Sequence, residues 1–136
     1  GRSDWKTIIN NWTDNLSMSV DFYNGFIARN LLENYQCIPN FGPIKPYFEY
    51  SLMDLPFDSL IEKATDEYIL NNGFEKLNIH PVLYYRNEDF KQYLVMRCIN
   101  NRSTFNKPQI DHLSSNRFSF EEYCRRNNLS FKVKYE

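Results

Sequence analysis

The residues best suited to chemistry in this sequence are aromatic rings set beside cationic side chains. Tyr84, Tyr85 and Arg86 form one run, Lys91 and Tyr93 follow, Phe105 and Lys107 come later, and Tyr123, Arg125 and Arg126 lie near the end. Ring faces stack on unpaired bases, while tyrosine hydroxyls, guanidiniums and ammonium groups donate to phosphate oxygens. A terminal phosphate would be held by several such donors at once. The types alone do not separate a site from a core, because the chain carries ten Tyr, eleven Phe and two Trp, and aromatics are usually buried.

Other chemistries fare worse. No phosphate-cradling glycine loop, nucleophile elbow or paired-histidine zinc helix occurs, and glycine is scarce at four residues. Cys124 and His112 have no spacing that suggests a catalytic dyad. The acidic pairs Glu88-Asp89 and Glu121-Glu122 fall where turns and first helical turns favour carboxylates for structural reasons. Three widely spaced cysteines, Cys37, Cys98 and Cys124, form no CxxC pair, and only His80 and His112 could join them. A reducing, intracellular compartment and no metal or organic cofactor are expected. His112 and Cys98 read as structural. No apolar run approaches the ~20 residues of a membrane span. The reading is a binding module rather than an enzyme.

Charge is uneven along the chain. The net charge is −1, yet residues 1–79 hold six Lys/Arg against eleven Asp/Glu, and residues 80–136 hold ten against six. A basic half on a nearly neutral chain can present a local anion-binding surface.

The elements that must position these side chains follow from periodicity and punctuation, within a single domain over residues 1–136. Leu16, Val20, Phe26, Ile27, Leu31 and Leu32 recur at helical spacing, predicting a helix over 16–35. Residues 36–46, with Pro39, Gly42, Pro43 and Pro46, are irregular, and 46–52 form an edge strand. A second helix runs over 56–71, with Leu60, Ala64 and Tyr68 on one face and Asn72-Gly73 as its stop. Strands over 77–86 and 92–99 flank the turn 87–89 as a β-hairpin. Tyr84 and Tyr85 would then face opposite ways, Tyr84 inward, and the turn would return Lys91 and Tyr93 beside Arg86. Residues 100–115 are a loop. Ser119 and Glu122 form a capping box for a short helix ending near Asn127-Asn128, and 130–135 alternate as a half-buried strand.

In order and spacing, residues 77–135 resemble a PAZ domain, the RNA 3′-end-binding module of Argonaute and Dicer proteins. HPVLYYRN is similar to the Dicer-type strand ending in aromatic-Arg-Asn. QYLVMRCINNRSTFNK resembles the following strand and the loop ending in Thr-Phe, and SFEEYCRRNNLSFKVKY resembles the helix that leads into an alternating strand. SVDFYNGFIARNLLENY and FDSLIEKATDEYI are similar to the family's early helices. The resemblance implies an α+β fold, an OB-like twisted β-barrel with flanking helices and a β-hairpin/helix appendage. It also implies that Tyr85, Arg86, Lys91, Tyr93, Phe105 and Tyr123 line an RNA pocket, with Arg125 and Arg126 supplying charge. The sequence departs at Cys124, where the family has a second aromatic, and at Asn106, where it has proline. The implied partners are duplex RNA with a short 3′ overhang and the other domains of a larger Dicer-like nuclease. A protein-docking module using the same exposed rings is the alternative.

Overall fold

A computed structural model describes residues 3–102 and 115–132, and in it the chain divides into two compact units. The first comprises Gly1–Ser51 and Phe57–Ile79; the second comprises Leu52–Pro56 and His80–Glu136.

In the first unit, helix α1 (Trp5–Asn10) starts at Asp4, whose carboxylate accepts the Thr7 amide at 2.7 Å. Strand β1 (Ser19–Val20), helix α2 (Phe26–Leu32), strand β2 (Tyr47–Tyr50), helix α3 (Asp58–Asn72) and strand β3 (Glu75–Asn78) follow. The sheet is open, ordered β1-β2-β3 and parallel throughout, with Ser19 opposite Tyr47 and Tyr47 opposite Glu75. Parallel neighbours need a crossover. α2 and α3 are those crossovers.

The core of this unit is aromatic. Phe48, only 1% exposed, lies on β2 and clusters with Phe41 and Ile44 from the segment before it, and Phe26, Tyr68, Phe74, Trp12 and Met18 pack around them. Phe48 meets the Phe26 and Phe41 rings edge-on, at 6.2 and 6.4 Å between centroids.

Several sequence expectations are corrected here. The helix over 16–35 shrinks to α2, because Asp21 Oδ1 accepts the Tyr23 and Asn24 amides in a turn and Gly25 is extended before the helix starts. The strand predicted at the edge is the middle one, which is why Phe48 is buried on it. α3 and its stop hold, with Gly73 at φ +67 closing the helix. Its buried positions, however, are Asp58, Ile61 and Thr65 rather than Leu60, which is exposed.

The second unit is built differently. The segment 84–86 carries one bridge, Tyr84 to Ser119, and residues 90–100 are helix α4 (Phe90–Asn100), entered through a 3-10 turn at Asn87–Asp89. The predicted β-hairpin does not form. Phe90, Tyr93, Leu94, Arg97 and Cys98 are the less exposed positions of α4, the i, i+3, i+4, i+7, i+8 stripe of a helix. Asp89 Oδ2 accepts the Arg86 amide at 2.9 Å and fixes the entry. Helix α5 (Phe120–Arg126) begins at Ser119, whose Oγ accepts the Glu122 amide at 2.9 Å. That cap is the predicted one, but Glu122 does not reach back to complete the box.

The described residues therefore form five α-helices and a small parallel sheet, a mixed α/β arrangement, and their strands do not close into a barrel. Phe105, Lys107, His112 and half of the predicted strand 130–135 lie outside the described residues, and 130–132 have no strand pairing. Among the described residues no helix is long and apolar enough to cross a membrane.

Candidate nucleic-acid interface

The second unit places a row of rings along α5 and the segment beside it. Phe120 and Tyr123 sit three residues apart on one helix face, and their rings run almost parallel, at 16° and 6.0 Å between centroids. Tyr85 continues the row against Phe120 at 13° and 5.9 Å. Phe131 leans on Tyr85 at 5.1 Å, and His80 meets Tyr123 edge-on at 5.6 Å. Tyr85 and Phe120 remain 45% and 39% exposed, so the row offers apolar ring surface to solvent rather than sealing a core.

Backbone bonds hold the row in register. The Leu83 amide donates to Phe118 O at 2.8 Å, the Phe120 amide to Tyr84 O at 2.9 Å, and the Glu121 amide to Tyr85 O at 3.1 Å. Ser119 is fully buried and its Oγ also donates to Asn87 Oδ1 at 2.5 Å, fastening the turn after Arg86 to the start of α5. Tyr85 and Phe120 thus sit on two strands of chain tied together by main-chain bonds.

Behind the row lies a cluster of charge. The Glu122 carboxylate, its side chain 3% exposed, accepts from three guanidiniums. Arg125 grips it from Nε at 2.8 Å and Nη2 at 2.6 Å, Arg126 reaches it from Nε at 3.1 Å, and Arg117 from Nη1 at 3.3 Å. Arg117 also donates to Asp54 at 2.7 Å, and Arg126 to the Leu52 carbonyl at 3.2 Å. The bonds from Arg125 hold the Glu122 carboxyl down to about 2, against the opposing effect of burial and with help from Arg126 and Arg117. His80 Nε2 lies 3.0 Å from the Arg117 carbonyl, so that nitrogen carries the proton. Burial, and then the Arg126 charge, lower the His80 pKa below its ordinary value.

The residues named from sequence separate into two groups. Tyr85 and Tyr123 join the row, and Arg126 lies three residues after Tyr123 on α5. Arg125 and Arg126 both hold Glu122. Arg86 pairs with Glu88 at 2.6 Å. Tyr93 is drawn away: on α4 it packs against Tyr84 at 5.2 Å, and burial raises its pKa. Lys91 is exposed on the first turn of α4 and is not returned to Arg86 by a hairpin. Tyr84 turns inward, donating to the Ser115 carbonyl at 3.0 Å, and burial pushes it up to about 12. Phe120, Phe131 and His80 were missed. The i, i+3 spacing of Phe120 and Tyr123 behind a Ser cap was the available signal for the first of them.

Among the described residues no group of His, Cys, Asp or Glu side chains is arranged to hold a metal ion, and Cys98 and Cys124 are buried free thiols. No protein-family model matches the chain, and no curated protein and no solved structure matches it significantly.

Proposed function

We propose that the second unit binds RNA, seating the unpaired nucleotides of a 3′ overhang against the rings of Tyr85, Phe120 and Tyr123. The observation that carries this reading is the row itself: three nearly parallel rings in sequence, two of them exposed. Successive bases stack on such platforms, at about 1–3 kcal/mol per base. Charge supports it, since the second unit holds ten Lys/Arg against seven Asp/Glu while the first is acidic. The segments carrying the row are also those that resemble a PAZ domain. The proposal includes that family's role: an anchoring module without a catalytic centre, in a Dicer-like nuclease whose other domains cut the RNA. The OB-like barrel belongs to this reading as well. The described strands do not form it, so the reading stands on the rings and the charge.

Peptide docking on the same rings is the competing reading, favoured by Leu83 and Leu129, which are exposed two residues before Tyr85 and Phe131 in the chain. Salt separates the two, because phosphate contacts make affinity fall steeply with ionic strength and apolar docking does not. The decisive experiment titrates short RNA duplexes bearing a 3′ overhang, a blunt end or a 5′ overhang. The 3′ overhang should bind tightest, and Phe120→Ala should weaken it by about 1–3 kcal/mol. Equal affinity for all three ends would rule out end recognition.

A further inference from the structure

The Tyr123–His80 end of the ring row adjoins the guanidinium cluster, and the cluster holds more positive charge than its carboxylates cancel. Three arginines share Glu122, and Asp54 is a second acid on Arg117. Arg126 has Glu122 Oε1 and the Leu52 carbonyl as its acceptors. A guanidinium carries five N–H donors in a planar fork, so an edge of Arg126 is left over. Its side chain is 33% exposed, and it follows Tyr123, whose ring touches His80, by three residues on α5, so the two side chains are neighbours on the helix surface. A surface arginine ordinarily loses rotamer freedom when it grips a ligand. Arg126 has already lost it, because a buried carboxylate and a carbonyl hold the side chain from two directions.

From this arrangement we infer that Glu122 is a positioning residue, and that it aims the remaining N–H edge of Arg126 into an oxyanion subsite at the Tyr123–His80 end of the row. The subsite takes a phosphate group. The inference rests on the RNA reading for its physiological ligand, the phosphate next to a stacked base, but the site itself is testable without RNA. Glu122 contributes no bond to the ligand. It sets where the donor stands.

Inorganic phosphate is the probe. In the ¹⁵N-labelled chain the Arg126 Nε–Hε resonance, identified by its loss in Arg126→Lys, should shift with saturation as phosphate is added. Glu122→Gln keeps the side-chain shape and raises the net charge by one, so charge alone predicts tighter binding. Positioning predicts the opposite sign, phosphate held about tenfold more weakly, the loss of one charge-assisted bond. Tighter or unchanged binding by Glu122→Gln overturns the inference. Should that variant fail to fold, Arg126→Lys decides. It keeps the charge and loses the fork, so about tenfold weaker binding supports the subsite and wild-type binding overturns it. An overhang RNA titrated in parallel separates the two claims. Phosphate binding at Arg126 without RNA binding removes the ring reading and leaves the subsite. RNA binding without a phosphate response at Arg126 removes the subsite alone.

Discussion

Glu122 should make the second unit acid-sensitive, and the size of the effect follows from its surroundings. The carboxyl has an ordinary value of 4.5 and is held to about 2 in the folded chain. The folded pKa is the lower one, so the unfolded chain binds the proton first as pH falls. The stabilisation is fully present above 4.5, drains away between 4.5 and about 2, and is absent below. At about 1.4 kcal/mol for each tenfold change in proton affinity, that interval corresponds to about 3 kcal/mol. The Glu122 side chain is 3% exposed, so solvent screens the carboxylate little, although its arginine partners are 33% to 65% exposed and soften the figure toward about 2. Glu122→Gln supplies the control because an amide does not titrate here. Trp5 and Trp12 both belong to the first unit, so tryptophan emission does not report on this site. Exchange protection of the Tyr123 and Asn127 amides, which bond to Ser119 O and Tyr123 O, does. Wild type should exceed Glu122→Gln by about 2–3 kcal/mol at pH 7, and the gap should close as pH falls toward 2. A gap that stays constant from pH 7 to 2 would refute the assignment of Glu122 as the ionised hub of the cluster.

Four other substitutions test the packing. Ser119→Ala removes the cap on the Glu122 amide and the tie to Asn87, and should cost about 1–2 kcal/mol in the same α5 exchange measurement. Phe48→Ala empties the centre of the first unit and should cost about 3–5 kcal/mol, read by urea titration of tryptophan emission, since Trp12 packs on that core. Two glycines should separate by mechanism. A Cβ at Gly25 would lie 2.1 Å from the Asp21 carbonyl oxygen, so Gly25→Ala must displace backbone and should cost more than about 2 kcal/mol. At Gly73 a Cβ meets nothing within 4 Å, leaving the strain of φ +67 alone, so Gly73→Ala should cost only about 1–2 kcal/mol. Equal melting temperatures for the two alanine variants would contradict that division.

What the sequence made legible was local, and what it hid depended on partners distant in the chain. Ser119 as a cap, Gly73 as a stop and the irregular run around Pro39 and Pro43 are decided by a few neighbouring residues, and each stands in the structure. The segment 90–100 shows the opposite case. QYLVMRCI is apolar at nearly every position, so it satisfies a period of two and a period of 3.6 equally. The tie between Ser119 and Asn87 and the packing of Tyr93 on Tyr84 accompany the helical solution, and neither is visible from within the segment. Choosing the helix moved two proposed site residues, Lys91 and Tyr93, away from Arg86 in one step. Read from sequence as a helix start, the two glutamates after Ser119 are first-turn acids, with Glu122 also the partner in a capping box. Folded, Glu121 Oε2 accepts the Asn87 amide at 2.9 Å beside the row, while Glu122 points the other way and disappears beneath three arginines. Adjacent identical residues thus divide the two tasks of the site. One fastens the segment that carries Tyr85, and the other fixes the charges that stand behind the rings.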